Sequence, residues 1–483
     1  MSDRLATLSA GEVVERFGER TLSPVDVLES VLKRLDVTDG TLNAFCHVDR
    51  EGARQAAQAS AQRYNRGTPL GPLDGVPVSV KDMLLTKGMP TRKGSKTTDP
   101  DAPQDEDAPA VARLRAGGAV LYGKTTTTEF GGSPYSTSPL TGDTRNPWNT
   151  AYGCAGSSMG AAAHLAAGVG PLALGNDAAG SVRMPASFGG VFGHKPTFGI
   201  VASYPPSAAG ILGHVGPMSW TVEDAARMLA VIAGPDPRDP YSLPAFPAIE
   251  RAFEQLDGSI AGLRVAYSPS LGIREPDAEV AQLTDAAAAR FADLGARVER
   301  VDPSLPGLFE AYDTIRISTR AASYRRTIGE SARADMDPVV SRVLEQAERY
   351  RRDDVIEALR VREVLAARMR AFHEQWDVLL TPTMAVPPFP LGTGPGPQDE
   401  HWYQIGGEIW SPYTFAFNMT QQPAASIPCG LTGPGSRQKP GLPIGLQIVA
   451  APFRDDLVLK CAHAYERSRV FERPVFIVGE DER

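Results

Sequence analysis

Apolar positions along the chain follow two rhythms. In VDVLESVLKRL they recur at helical spacing, and Ser23-Pro24 just ahead supplies a capping serine and a proline at a first helical position. Ser9 with Glu12 three residues on has the spacing of a capping box. Residues 1–65 are therefore predicted to be helices. From Pro77 the texture changes to short apolar runs, VPVSV, AVLYG at 119–123 and PLALG at 171–175, separated by Gly-rich turns and helix-like stretches. That alternation predicts an α/β fold whose sheet is covered on both faces. LRVAYS at 263–268, ARVERV at 296–301 and DVLLTP at 377–382 continue it, with EVAQLTDAAAARFADLG and residues 306–375 reading as helix. The Pro/Gly-rich stretch Thr381 to Pro397 reads as a structured loop before apolar sequence ending in GLPIGLQIVA. No repeat of 20 to 50 residues is visible. A single domain over 1–483 is predicted: N-terminal helices at 1–65, a core at 66–225, a helical excursion carrying strands at 225–375, and a C-terminal part at 376–483 that completes the sheet.

Composition narrows the functional classes. A chain of 483 residues can bury a large core without staples. Lys and Arg number 49 against 57 Asp and Glu, and the basic residues are scattered, which argues against a nucleic-acid surface. Cys46, Cys154, Cys429 and Cys461 are far apart with no C-x-x-C pair, which fits a reducing compartment, so a cytoplasmic location is expected. The N-terminus MSDRLATLSAGEVVERF is charged where a secretory signal is apolar. The longest small-apolar run, Met159 to Gly175, contains His164 and reads as a buried segment rather than a membrane span. No H-E-x-x-H or similar ligand cluster occurs, so neither a metal nor another cofactor is expected.

Two local patterns have the letters of known motifs without their physics. Gly118 to Thr125, GAVLYGKT, matches the phosphate-binding loop expression, but its four middle residues are themselves an apolar strand and cannot form a cradle. Gly156 to Gly160, GSSMG, matches the nucleophile elbow, with Ser158 as nucleophile and His373 or His463 as a downstream base. The residues before it, NPWNTAYGCA, are turn-like where that motif needs a buried strand. Ser158 opens a helix and is either a cap or a supporting hydrogen-bond partner.

A third constellation is Lys81 at the end of VPVSVK, Ser157 in the Gly/Ser turn and Ser181 in GNDAAGSVR. From Ser157 a small-residue helix to Gly168 rises about 16 Å, and a strand from Gly170 to Gly175 returns a similar distance, so Ser181 can come back to the level of Ser157. Asp82 is no partner for Lys81, because adjacent strand residues point to opposite faces. His164, within an Ala-rich helical pattern, reads as a packed residue.

These residues lie within stretches that resemble the amidase signature family of serine hydrolases. The matching stretches are GPLDGVPVSVKDMLLTKGMPT, SPLTGDTRNPWN with AGSSMGAAAHLAAG, LALGNDAAGSVRMPASFGGVFGHKPTFGIV, GPMSWTVEDAARML, LLTPTMAVPP, NMTQQPAASIPCG and GLPIGLQIVAAPFRDDLVL. They span nearly the whole chain in family order. The resemblance implies an α/β/α fold around a mixed sheet and a Ser-Ser-Lys triad. Ser181 takes the place of the nucleophile, Ser157 of the bridging serine held through a cis peptide, and Lys81 of the base. It also implies backbone oxyanion donors at Ala178, Ala179, Gly180 and Ser181. Asp177 and Arg183 are expected to pair and hold that loop. The sequence departs from the family habit at Ala179 and Met159, where glycines are usual.

Lysine is protonated at neutral pH, so Lys81 serves as a base only if burial disfavours its ammonium form. The expected substrate is a small-molecule amide, an aryl or aliphatic amide, anilide or carbamate, met by Gly131, Gly132, Tyr135, Tyr152, Cys154 and the aromatic segment WYQIGGEIWSPYTF at 402–415. The alternatives are the glutamine-hydrolysing subunit of a tRNA-dependent amidotransferase, which needs partner subunits, and a catalytically silent scaffold. Neither nucleic acid nor membrane is an expected partner, and a homodimer is the assembly the resemblance implies.

Overall fold

The computed structural model describes residues 2–244, 246–393, 410–436 and 438–474. Eleven strands form its main sheet: β1 Phe45–Val48, β2 Pro77–Lys81, β3 Val120–Thr125, β4 Leu172–Asp177, β5 Phe192–Lys195, β6 His214–Ser219, β7 Arg264–Tyr267, β8 Arg297–Arg300, β9 Val378–Pro382, β10 Ala424–Leu431 and β11 Pro443–Ala450. Their spatial order is β1-β3-β2-β4-β6-β5-β10-β11-β9-β7-β8. β3, β2 and β4 run parallel, as do β9, β7 and β8, while the pairs between these groups are antiparallel. The sheet is thus mixed, as expected.

The predicted strands at VPVSV, AVLYG, PLALG, LRVAYS, ARVERV and DVLLTP are all present, and the apolar sequence GLPIGLQIVA forms β11. The expectation of helices alone over 1–65 is corrected by β1, which pairs antiparallel with β3 between the helices Pro24–Leu42 and Arg50–Arg66. Ser9 and Glu12 form the capping box, and Ser23 caps a helix whose first residue is Pro24. The stretch 225–375 is mainly helical and contributes β7 and β8 at one end of the sheet.

Alternation along β2 places the site. Val78 and Val80 face one apolar layer with Leu172 and Leu174, while Val120, Tyr122 and Ala173 face the other layer against the helix Met159–Ala166. Ser79 points to that second layer, where its hydroxyl lies 2.7 Å from Nε2 of His164. Two residues on, Lys81 shares its face and so reaches the start of the same helix. Asp82 turns the other way, accepting from the N–H groups of Arg92 and Gly94 and lying 3.8 Å from Nζ of Lys124. Because β2 and β4 are parallel neighbours, Lys81 and Asp177 finish at the same carboxyl end of their strands, where open α/β sheets place their ligands.

Leu174 is fully buried in the middle of β4. Leu174→Ala is predicted to cost about 2–5 kcal/mol by urea denaturation; a loss below ~1 kcal/mol would mean that this layer is not closely packed.

Candidate active site

The site forms where the loop after β4 meets the turn before the helix Met159–Ala166. Lys81 is wholly buried. Its Nζ lies 2.7 Å from Oγ of Ser157, 2.9 Å from Oγ of Ser158 and 3.4 Å from the carbonyl oxygen of Asn176. A neutral amine offers two N–H donors and one lone pair, which matches donation to Ser158 and Asn176 and acceptance from Ser157. Burial pushes the Lys81 pKa well down; the charge of Asp177 opposes this and that of Arg320 adds to it. Ser158 is the N-cap residue of its helix but makes no side-chain capping bond, so its hydroxyl serves Lys81 instead.

The peptide between Gly156 and Ser157 is cis. Opposite Ser157, Gly131 has φ +62°, and a Cβ there would come within 3.2 Å of Ser157 Oγ, so this turn needs glycine for both conformation and space. Exposure rises in order from Lys81 at 0 % through Ser157 at 1 % to Ser181 at 6 %, and Ser181 lines a cavity. That cavity, about 40 Å³, is also bordered by Gly131, Gly132, Ala179, Tyr312 and Phe415. The Ser181 carbonyl accepts from Ser158 N–H at 3.1 Å, which ties the two loops together. The Ser181 hydroxyl makes no hydrogen bond among the described residues. Lys81 and Ser157 are therefore joined, while the Ser157–Ser181 link is open.

Asp177 organises the loop that carries Ser181. It accepts from the N–H groups of Gly180 (2.7 Å) and Val182 (3.1 Å), from Arg183 Nε and Nη2 (3.1 and 3.0 Å) and from Asn418 Nδ2 (2.9 Å). Burial pushes its carboxyl up, but the Arg183 charge and these bonds hold it well below the usual carboxylate range. Arg183 in turn donates to the carbonyl of Thr414 and to the side chains of Gln447 and Asn418. Thr414 Oγ1 donates to the Ala179 carbonyl at 2.6 Å. At Gly180, φ is +121° and a Cβ would sit 2.4 Å from Thr414 Oγ1.

Of the four expected oxyanion donors, Gly180 is corrected: its N–H is committed to Asp177. Those of Ala178, Ala179 and Ser181 have no acceptor among the described residues. The pocket expectations divide as well. Gly131 and Gly132 border the Ser181 cavity, whereas Tyr135 lines an adjoining cavity of about 380 Å³ with Phe188 and Phe389. Tyr152 and Cys154 line neither: Tyr152 lies at the remote Gln438–Lys439 turn, and Cys154 is packed in the core with its thiol toward the Arg145 carbonyl. Residues 402–409 of the aromatic segment lie outside the described residues; Trp410 packs on Tyr135 and Phe188, and Phe415 stacks on Tyr312.

The two motif look-alikes resolve physically. Gly123, Lys124 and Thr125 are strand residues, and buried Lys124 donates to the Leu84 carbonyl and to Thr91 Oγ1, leaving no cradle. His373 and His463 bond to the backbone carbonyls of Trp376 and Leu256, and Ser158 has Lys81 as its partner in place of either. His164 is packed, as read from the sequence.

A buried lysine joined to serine hydroxyls, beside a loop presenting free N–H groups, is the site of a hydrolase on an α/β/α scaffold. The Amidase family profile matches residues 26–459. Acylamidase of Rhodococcus erythropolis is 36 % identical over 96 % of this chain and 95 % of its own length. A glutamyl-tRNA(Gln) amidotransferase subunit of Streptomyces avermitilis is 32 % identical over 96 % and 95 %. The crystal structure of a bacterial aryl acylamidase of the amidase signature family superposes with a TM-score of 0.86 at 28 % identity, covering 96 % of each chain. The chain belongs to the amidase family, hydrolases of amide C–N bonds.

Arg183→Met is predicted to cost about 3–5 kcal/mol in chemical denaturation, because it strands the Asp177 carboxylate without its buried counter-charge. A near-neutral result would mean that Asn418 and the N–H groups alone suffice to hold Asp177.

Proposed function

We propose that this chain hydrolyses a small-molecule carboxylic amide to an acid and an amine or ammonia through an acyl-enzyme on Ser181. The observation that carries this reading is a wholly buried Lys81 whose hydrogen-bond partners are all neutral oxygens, one of them Ser157 at 2.7 Å. Lys81 in its neutral form takes the Ser157 proton while Ser157 takes that of Ser181. Substrate closes the open Ser157–Ser181 link, since catalytic hydrogen bonds tighten in the Michaelis complex. Ser181 Oγ attacks the carbonyl carbon, and the N–H groups of Ala178, Ala179 and Ser181 receive the oxyanion. Return of the proton along the relay expels the amine; water then cleaves the ester by the same path. The relay needs no cofactor. The expected setting is the cytoplasm, with a homodimer as the assembly.

Identity of about a third to the glutamyl-tRNA(Gln) amidotransferase protein, at the same coverage, favours a second reading as a glutamine-hydrolysing component of such a complex. Ammonia release from glutamine only after partner subunits are added would select it. Turnover of anilides, aliphatic amides or carbamates by the purified chain alone selects the first.

A fluorophosphonate probe is predicted to label the wild type at Ser181, and Ser181→Ala to abolish both turnover and that labelling; labelling at Ser158 would favour the elbow mechanism, and a wild type that is not labelled at all the silent scaffold. The pH profile follows from Lys81. Below its depressed pKa Lys81 is charged and inactive, and above it the base is available. kcat/KM should therefore rise with pH through an acid-side inflection well under the ~10.4 of a free lysine. Lys81→Arg, charged at every accessible pH, should be inactive throughout; near-normal activity in it would refute the relay.

A further inference from the structure

The cavity that holds Ser181 carries more positive charge than the relay uses. Arg316 and Arg320, four residues apart on the helix Leu308–Thr327, both line it. Arg316 Nη2 donates to Asp313 at 2.6 Å, and Asp313 also accepts from the Tyr350 hydroxyl. Arg320 differs. It is only 6 % exposed, and its guanidinium donates to two neutral oxygens, the Gly131 carbonyl at 3.1 Å and the Tyr324 hydroxyl at 3.3 Å. Its Nε–H is buried with no acceptor, and among the described residues no carboxylate pairs with it. Asp177, the buried carboxylate of the site, is occupied by Arg183, Asn418 and two backbone N–H groups.

A guanidinium keeps its charge and offers five donors in a planar fork, so burial without a counter-anion is costly unless a ligand supplies one. We propose that Arg320 is the anion-recognition residue of this cavity, and that the substrate is a compact amide bearing a carboxylate close to the scissile carbonyl. The proposal rests on the reading of Ser181 as nucleophile. Ser181 and Arg320 border the same space of about 40 Å³, so a carboxylate on Arg320 leaves its neighbouring carbonyl beside the serine. Arg316, its charge met by Asp313, lies on the same wall, and Tyr312, stacked on Phe415 at 4.3 Å, supplies a flat apolar one.

The test is hydrolysis of matched charged and neutral amides by the purified full chain: succinamate against butyramide, with the carboxylate on the acyl side, and N-acetylglycine against N-ethylacetamide, with it on the amine side. In at least one pair the charged member should be favoured by about tenfold or more in kcat/KM. In Arg320→Gln that preference should collapse toward one, chiefly through a higher KM for the charged amide, and Arg320→Lys should restore part of it. Fluorophosphonate labelling of Ser181 in Arg320→Gln shows that the fold and nucleophile survive. Neutral amides preferred in both pairs, or an unchanged preference in Arg320→Gln with Ser181 still labelled, would overturn the anion site and leave the amidase reading intact. No hydrolysis of any amide and no labelling in the wild type would instead sink the amidase reading, and this proposal with it.

Discussion

Burial of one amine governs this site. Water would keep Lys81 charged, and a carboxylate bonded to it would do the same; the strand end excludes the first, and the nearby Asp177 carboxylate is bonded to Arg183 and not to Lys81. The hydrogen-bond partners of Lys81 are two hydroxyls and a carbonyl, which satisfy the polar atoms of the neutral form without stabilising the cation. The arrangement follows from strand geometry: Ser79 and Lys81 share a face with the helix Met159–Ala166, while Asp82 is turned toward Lys124 on the other. A shift of one residue in β2 would put the carboxylate into the site and the lysine out of it.

Asp177 shows the opposite solution to the same problem. It is equally buried and fully charged, and the structure surrounds it with donors from the loop after β4, from the helix that begins at Arg183 and from Asn418. A buried ion pair of this kind contributes geometry more than stability. Here the geometry is that of the Ala178–Ser181 loop. By taking the Gly180 N–H, Asp177 fixes which neighbouring N–H groups stay unpaired, and Thr414 holds the Ala179 carbonyl away from them. A methyl at Ala179 is compatible with this arrangement because the conformation that excludes a Cβ falls on Gly180 instead.

Much of this was legible in the sequence, for identifiable reasons. Long apolar strands such as VPVSV and GLPIGLQIVA announce themselves, and the up-and-back arithmetic from Ser157 to Ser181 needs only helix and strand rises. β1, β5, β6 and β10 escaped notice because FCHV, FGHK, HVGPMS and AASIPCGL mix polar residues, glycine or proline into their strands. Tyr152 and Cys154 were misplaced by proximity: they adjoin Ser157 along the chain, but one ends at a remote turn and the other faces a packed layer. Thr414, Asn418 and Gln447 had no local signal, since each acquires its role from a loop more than two hundred residues upstream. Arg316 and Arg320 were hidden differently. On a helix rich in arginine they look like a solvated face, and only the packing of that helix over the Gly131 turn turns them inward; the i, i+4 spacing was their one available trace.

The charge of Arg320 reaches Lys81. The Arg320 charge helps keep Lys81 neutral in the free enzyme, as does burial, while Asp177 works against both. On the proposed reading, a substrate carboxylate seated on Arg320 screens that charge at the moment the base must accept a proton. Lys81 then becomes a stronger base in the complex than in the free protein. A neutral amide of the same size leaves Arg320 unscreened and the base weaker, so a smaller part of the selectivity for the charged substrate arises in the proton transfer, added to the larger part in binding. The cation that discriminates between substrates thus also adjusts a base whose neutrality burial chiefly maintains, so that a change of its charge acts on binding and on proton transfer together.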